Sequence, residues 1–365
     1  MRTHLTRRLI AASSAVVVTL GGAATFAATT ATAAPSGSTG AGAGVSLLSR
    51  VDAAGQQAAL AYWTPERLAQ AVPVDRVVTG RGAGAPGTAA TLGTPAPAAP
   101  SAPAAQPRST SATTGDAPVL PRGPRATAGV VTGDAVSTAR NWTGPALPTV
   151  GRLYFTQGAG QFECTASSVD SPKGNVIATA GHCVTEGGLD SKNLVFVPGL
   201  AGTSQPQGQF AVGQTFTTTQ WRTGDQQSAA ALNYDVGFAL VSPRAGKSLK
   251  DTVGAYPIAF DSPLSRVTVL GYPGRSRTAD GFTLQFCTGT EFTDNGAGGT
   301  SDVATLCDLG GGSSGGPWLR DVDPATGSGT LTSVVSFSYD DNASVLYGPR
   351  FGSVVRDVYT RAANA

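Results

Sequence analysis

The stretch LGGGSSGGPW, residues 309–318, sets two hydroxyls, Ser313 and Ser314, inside a glycine run. Glycine gives up more backbone freedom on folding than any other residue, so such a run in a folded domain marks left-handed backbone or close approach to the main chain. A flexible Gly/Ser linker is the plainer alternative. The flanking stretches VATLC and LTSVVSFSY read as strands, which places the run in mid-domain. A serine hydroxyl becomes a nucleophile beside a base, and the base needs an orienting group. The chain has two histidines. One, His4, falls in an N-terminal export signal, so the base of the processed chain is His182 in IATAGHCV. A lone histidine is ordinarily a surface or satisfied core residue. Here Gly181 permits a tight turn before it and Cys183 pins the backbone after it.

The elements that must hold these residues lie in the second part of the chain. From about Pro145 to Ala365, short β-rich runs alternate with Gly, Pro, Asp and Ser turns: GRLYFTQ, NVIATA, NLVFVPG, DVGFALV, RVTVLGYPG, FTLQFC. This spacing predicts an all-β barrel or sandwich rather than βαβ units. A closing helix is expected over GSVVRDVYTRAA, with Val354, Val355, Val358 and Tyr359 on one face.

The first part reads differently. MRTHLTRR supplies a positive region, LIAASSAVVVTLGGAA an apolar one, and ATAA a small-residue cleavage site, giving a signal peptide over residues 1–33. Residues 34–144 form a pro-region rich in Ala, Pro, Gly and Thr, expected to be largely disordered, above all over 83–107. Within it AYWTPERLAQAVP predicts a helix capped by Thr64, opened by Pro65 and stopped by Pro73, with Leu68, Ala69 and Val72 as its apolar face.

Composition narrows the function. The 365 residues are 13% charged with net charge +2 and show no basic stripe with interleaved aromatics, so nucleic acid is not expected as a partner. Four cysteines in an exported chain imply two disulfides, and without a C-x-x-C no metal is expected. The processed protein is expected to be secreted, with no stable membrane association.

TAGHC (Thr179–Cys183) and GSSGGP (Gly312–Pro317), in that order, resemble the chymotrypsin-like, or trypsin-like, serine peptidase family. The likeness is to the secreted bacterial members made with a signal peptide and pro-region. It covers roughly Gly151 to the C-terminus and implies two six-stranded antiparallel β-barrels, about 145–250 and 251–365, with a C-terminal helix. It also implies that His182 is the base and Ser314 the nucleophile, and that the N–H groups of Gly312 and Ser314 form the oxyanion hole. The family's third member lies between these two in sequence, and NYDVGFALV nominates Asp235 over Asp190 and Asp225. The resemblance pairs Cys164 with Cys183 and leaves Cys287 with Cys307. VVSFS (Val334–Ser338) resembles the strand that pairs with substrate, placing Ser336 near Asp235 and Phe337 under a subsite. Counting six back from Ser314 puts Asp308 at the base of the primary pocket, where it would pair with Arg or Lys; the alternative is an outward-facing aspartate capping a turn. The expectation is a monomeric serine endopeptidase acting on peptides or proteins without cofactor. An esterase on the same triad and an inactive extracellular binding module stand as alternatives.

Overall fold

A computed structural model describes residues 44–79, 136–275, 279–294 and 300–365. The signal peptide and the Ala/Pro-rich stretch 83–107 lie outside the described residues. The first described segment holds β1 (Val45–Arg50), α1 (Ala53–Tyr62), α2 (Pro65–Gln70), β2 (Val72–Pro73) and β3 (Val77–Val78). Then come β4 (Val136–Asn141), β5 (Val150–Gln157), β6 (Gly160–Val169) and β7 (Val176–Thr179). A small hairpin follows, β8 (Thr185–Glu186) and β9 (Leu189–Asp190), then β10 (Lys192–Pro198) and β11 (Phe210–Thr218). Two short helices, α3 (Thr219–Thr223) and α4 (Ala229–Leu232), precede β12 (Gly237–Val241) and α5 (Leu249–Val253). The remainder runs β13 (Arg266–Gly271), β14 (Gln285–Thr290), β15 (Phe292–Thr293), β16 (Val303–Leu306) and β17 (Pro317–Arg320). It ends with β18 (Thr330–Val334), β19 (Phe337–Tyr339), β20 (Asn342–Gly348) and α6 (Ser353–Ala363).

Strands β11, β10, β5, β6, β7 and β12 pair in that order, and β12 returns to β11, closing a six-stranded antiparallel barrel. Closure removes the free edges that an open sheet would leave unpaired. Apolar side chains such as Leu153, Phe155, Ile177, Phe196, Phe210 and Val212 fill one cluster of its core. The second half was expected as a matching barrel. Among the described residues its backbone ladders form two five-stranded sheets, β18-β17-β13-β14-β4 and β15-β16-β20-β19-β3. The Cys287–Cys307 disulfide, rather than a ladder, joins β14 to the end of β16. The closing helix is present, with Val355 and Val358 buried and Val354 and Tyr359 partly so.

Two boundaries move. β4 adds to β14 in the register Arg140↔Phe286 and Asn141↔Gln285, so the sheet of the second half begins at Val136, before the expected boundary at 145. Residues 44–79 are folded onto the barrel rather than forming a featureless stretch. β1 pairs with β11, α1 packs on β10 and β11, and the buried Trp63 donates its Nε1–H to the Asn193 carbonyl at 2.6 Å. The predicted helix exists as α2, with the Thr64 hydroxyl accepting from Arg67 N–H. Leu68 is buried as expected, but Ala69 and Val72 face solvent. The chain leaves the helix at Ala71 and continues as β2, so helical spacing no longer decides which side Val72 presents.

Candidate active site

His182 sits in the turn after β7, where Cys183, Val184 and Thr185 all donate back to the carbonyls of Ala180 and Gly181. A side chain at Gly181 would meet Trp221 and Asp235 Oδ1 at 2.7 and 2.8 Å, so only glycine lets this turn close. The Cys164–Cys183 bridge ties the turn to β6. Asp235 stands just before β12, which pairs with β7, and this ladder brings aspartate and histidine together. Its Oδ1 accepts the His182 backbone N–H at 2.7 Å and its Oδ2 meets Nδ1 at 2.8 Å. Ser336 donates its hydroxyl to the same Oδ2 at 2.6 Å. Burial pushes the Asp235 carboxyl up, but the charge and hydrogen bond of His182, with Arg76 and Ser336, hold it below the ordinary carboxylate value. An ionised Asp235 makes Nδ1 the protonated nitrogen and leaves Nε2 as the basic one. Nε2 is buried and has no hydrogen-bond partner.

The loop carrying Ser314 needs its glycines. Gly312 has φ +90° and Gly315 φ +79°, both left-handed. A Cβ at Gly315 would lie 2.4 Å from the Thr165 carbonyl, and one at Gly312 would crowd the Tyr272 carbonyl at 2.9 Å. The loop is pinned to β6 by Thr165 N–H to the Ser314 carbonyl, 2.7 Å, and the Thr165 hydroxyl to the Gly312 carbonyl, 2.9 Å. Behind it Arg152, fully buried, pairs with Glu163 at 2.6 Å; burial pushes the Glu163 carboxyl up to about 7 against the pull of Arg152.

An earlier segment of the chain lies against the Ser314 loop. β2 runs parallel to β6, and Val74 N–H donates to the Glu163 carbonyl. The Val74 carbonyl accepts the Gly312 N–H at 2.6 Å, and the Ser314 hydroxyl points at that same oxygen from 3.4 Å instead of engaging His182. Beyond it Ser338 N–H donates to the Arg76 carbonyl and Asp340 N–H to that of Val78, as β3 pairs with β19. Phe337 is buried, stacked on Tyr347 and clustered with Val78 and Trp221.

Asp308 is not where the residue count puts it. Its side chain is exposed and its Oδ1 accepts the Ala139 N–H of β4, so it supplies no unpaired charge at the base of a slot. The outward-facing alternative describes it, because the ladder between β4 and β14 brings Ala139 within reach. Cys164, His182 and Cys183 offer atoms within 4.8 Å of one another, yet both sulfurs are locked in the disulfide and Nδ1 is held by Asp235, leaving no donor set for a metal.

A glycine-shaped serine loop beside a carboxylate-held histidine at a closed barrel defines a class, and the comparisons agree. No protein-family model and no curated protein matches the chain. Among solved structures, the thermostable serine protease AL20 from an extremophilic microorganism is 31% identical, with TM-score 0.55, and matches over 60% of this chain and all of its own. The protease Anisep from Arthrobacter nicotinovorans is 29% identical, with TM-score 0.56, over 62% of this chain and all of its own. The chain belongs to the bacterial chymotrypsin-like serine protease family.

Proposed function

We propose that this protein is a secreted serine endopeptidase made as a latent precursor. His182 takes the proton of Ser314 as its hydroxyl attacks the scissile carbonyl, then gives it to the leaving amine, while Asp235 holds the tautomer and stabilises the imidazolium. The N–H groups of Gly312 and Ser314 bind the oxyanion; each such donor is worth about 3 kcal/mol in the transition state. The acyl-enzyme is then hydrolysed by water activated through the same histidine. The observation that carries this reading is the buried His182–Asp235–Ser336 arrangement, with Cys183, the residue after His182, placing its Sγ 3.9 Å from the Ser314 carbonyl. Export is supported by the N-terminal motif and two disulfides; no helix among the described residues is long and apolar enough to cross a membrane. Latency is supported by the strap of residues 72–78, whose Val74 carbonyl takes the Gly312 donor and faces Ser314.

Secreted protein treated with a fluorophosphonate probe should become labelled, and Ser314→Ala should abolish labelling and the cleavage of a protein substrate together. Labelling that persists in Ser314→Ala, or cleavage confined to esters, would overturn the endopeptidase reading.

A further inference from the structure

Beside the base, the strap drops one cation into a socket of the catalytic part. Arg76 is 7% exposed although it carries a charge. Its guanidinium donates to the Glu186 carboxylate and the Gln226 carbonyl, and lies over the Trp221 ring at 4.8 Å. The walls are built, not incidental. Trp221 is fully buried, fixed by its Nε1–H to the Thr185 carbonyl at 2.9 Å, and set edge-on to His182 with ring centroids 6.4 Å apart. Glu186 lies four residues after His182, at the end of β8, and is partly exposed. The neighbouring cation, Arg222, is committed to Asp190 and the Thr185 hydroxyl, at 2.9 and 2.8 Å, and forms no ion pair with Glu186. Among the described residues, Arg76 is the one cation within ion-pair distance of Glu186.

We propose that Glu186, Trp221 and the Gln226 carbonyl form a specificity subsite for an Arg or Lys side chain of the substrate, held in the precursor by Arg76. The inference rests on the protease reading and adds a substrate class to it. A departing strap leaves a carboxylate, a carbonyl and an indole face without their cation. A planar guanidinium satisfies all three at once through charge-assisted hydrogen bonds and stacking, an ammonium does so less completely, and a neutral side chain leaves the carboxylate unpaired. An acidic side chain is repelled by Glu186. The subsite sits beside His182, so its occupant is a residue close to the scissile bond.

The test has two arms, the first on the unprocessed full chain and the second on the processed, secreted form from which the strap has gone. In the first, added thermolysin cuts the strap before Val77 or Val78 and reports how firmly the strap is held, whatever the chain's own activity. Arg76→Gln and Glu186→Gln should each speed that cut about tenfold, and the double variant should be no faster than the faster single one, since both remove one pairing. Unchanged cutting in either single variant, or additive effects in the double one, overturns the subsite. In the second arm, fluorogenic peptides carry Arg, or its uncharged isostere citrulline, at each of four positions on either side of the cut. One position should show about a tenfold advantage of Arg over citrulline in kcat/KM, a difference worth 1.4 kcal/mol, and Glu186→Gln should bring that ratio to about one. An advantage at no position, or one that survives Glu186→Gln, overturns the subsite as a substrate selector. A Ser314 unreactive to fluorophosphonate in every variant defeats the protease reading instead, and the first arm still decides whether the socket recognises a cation.

Discussion

At the scale of single residues, polar groups around Ser314 and His182 are divided by what they are bonded to. Asp235 is stabilised as an anion by His182 and Ser336. Replacing it with Asn leaves the shape but presents an N–H to Nδ1 and selects the wrong tautomer. Asp235→Asn should lower kcat by about 10⁴ with an unchanged circular dichroism spectrum; a loss below tenfold would contradict the assigned role. Asp302 is the opposite case. It is fully buried, neither oxygen has a partner, and Asp235 and Asp294 stand near. Burial, with those neighbouring carboxylates, raises its carboxyl well above the ordinary 3.8. Above that ordinary value the unfolded chain has released this proton while the folded one keeps it, so the group lowers stability as pH rises until the folded carboxyl itself ionises. Asp302→Asn should therefore flatten the loss of stability toward alkaline pH in urea titrations. A variant as pH-sensitive as the parent would refute this.

At the scale of elements, the turn carrying His182 is short and depends on its staple. The Cys164–Cys183 bridge closes a loop of 19 residues between β6 and the histidine. Replacing both cysteines with alanine should cost about 3 kcal/mol in denaturant unfolding, and should lower fluorophosphonate labelling as the turn loosens. β4 carries a second consequence. It supplies the outer ladder of the β14 sheet and the N–H that engages Asp308, so processing that removed it would strip an edge strand and free Asp308. The first residue of the processed protein should lie before Val136, upstream of the end of the pro-region at 144 expected from the sequence. N-terminal sequencing of the secreted form checks this; a start within or after β4 would contradict it. Ser313, just before the nucleophile, carries no charge and donates its hydroxyl to the Gly310 carbonyl at 2.6 Å, so no buried ion pair at this position awaits the new terminus.

At the scale of the whole molecule, the latency proposed above makes the strap an inhibitor attached to its target. It is anchored by β1 on the barrel, by Trp63 against Tyr154, and by β3 on β19, contacts that do not depend on the covalent link through residues 80–135. It should remain in place after a single cut in residues 80–135 until it is itself digested or dissociates. Labelling of Ser314 should accordingly be slow in the intact chain, little changed by nicking alone, and at least about tenfold faster once the segment around 44–79 is gone. Equal labelling rates before and after its loss would remove the latency.

Much of the candidate site was legible because it depends on local backbone. Glycines at φ > 0, a histidine turn of few residues, and strands bounded by turns each leave a contiguous pattern, and TAGHC and GSSGGP carry theirs intact. The placing of Asp235 was legible for the same reason, as an aspartate opening a strand that pairs with the strand before His182. What the linear order could not decide was which distant segments meet. Asp308 faces outward because β4, about 170 residues earlier, offers it an N–H. Each five-stranded sheet of the second half draws in a strand from the earlier chain, β4 in one and β3 in the other. VPVDRVV shows nothing in its own pattern to mark it as the segment that lies against the Ser314 loop. Arg76 acquires its role from Glu186, Trp221 and Gln226, at least 110 residues away, and pairings of that range arise only once the barrel is closed.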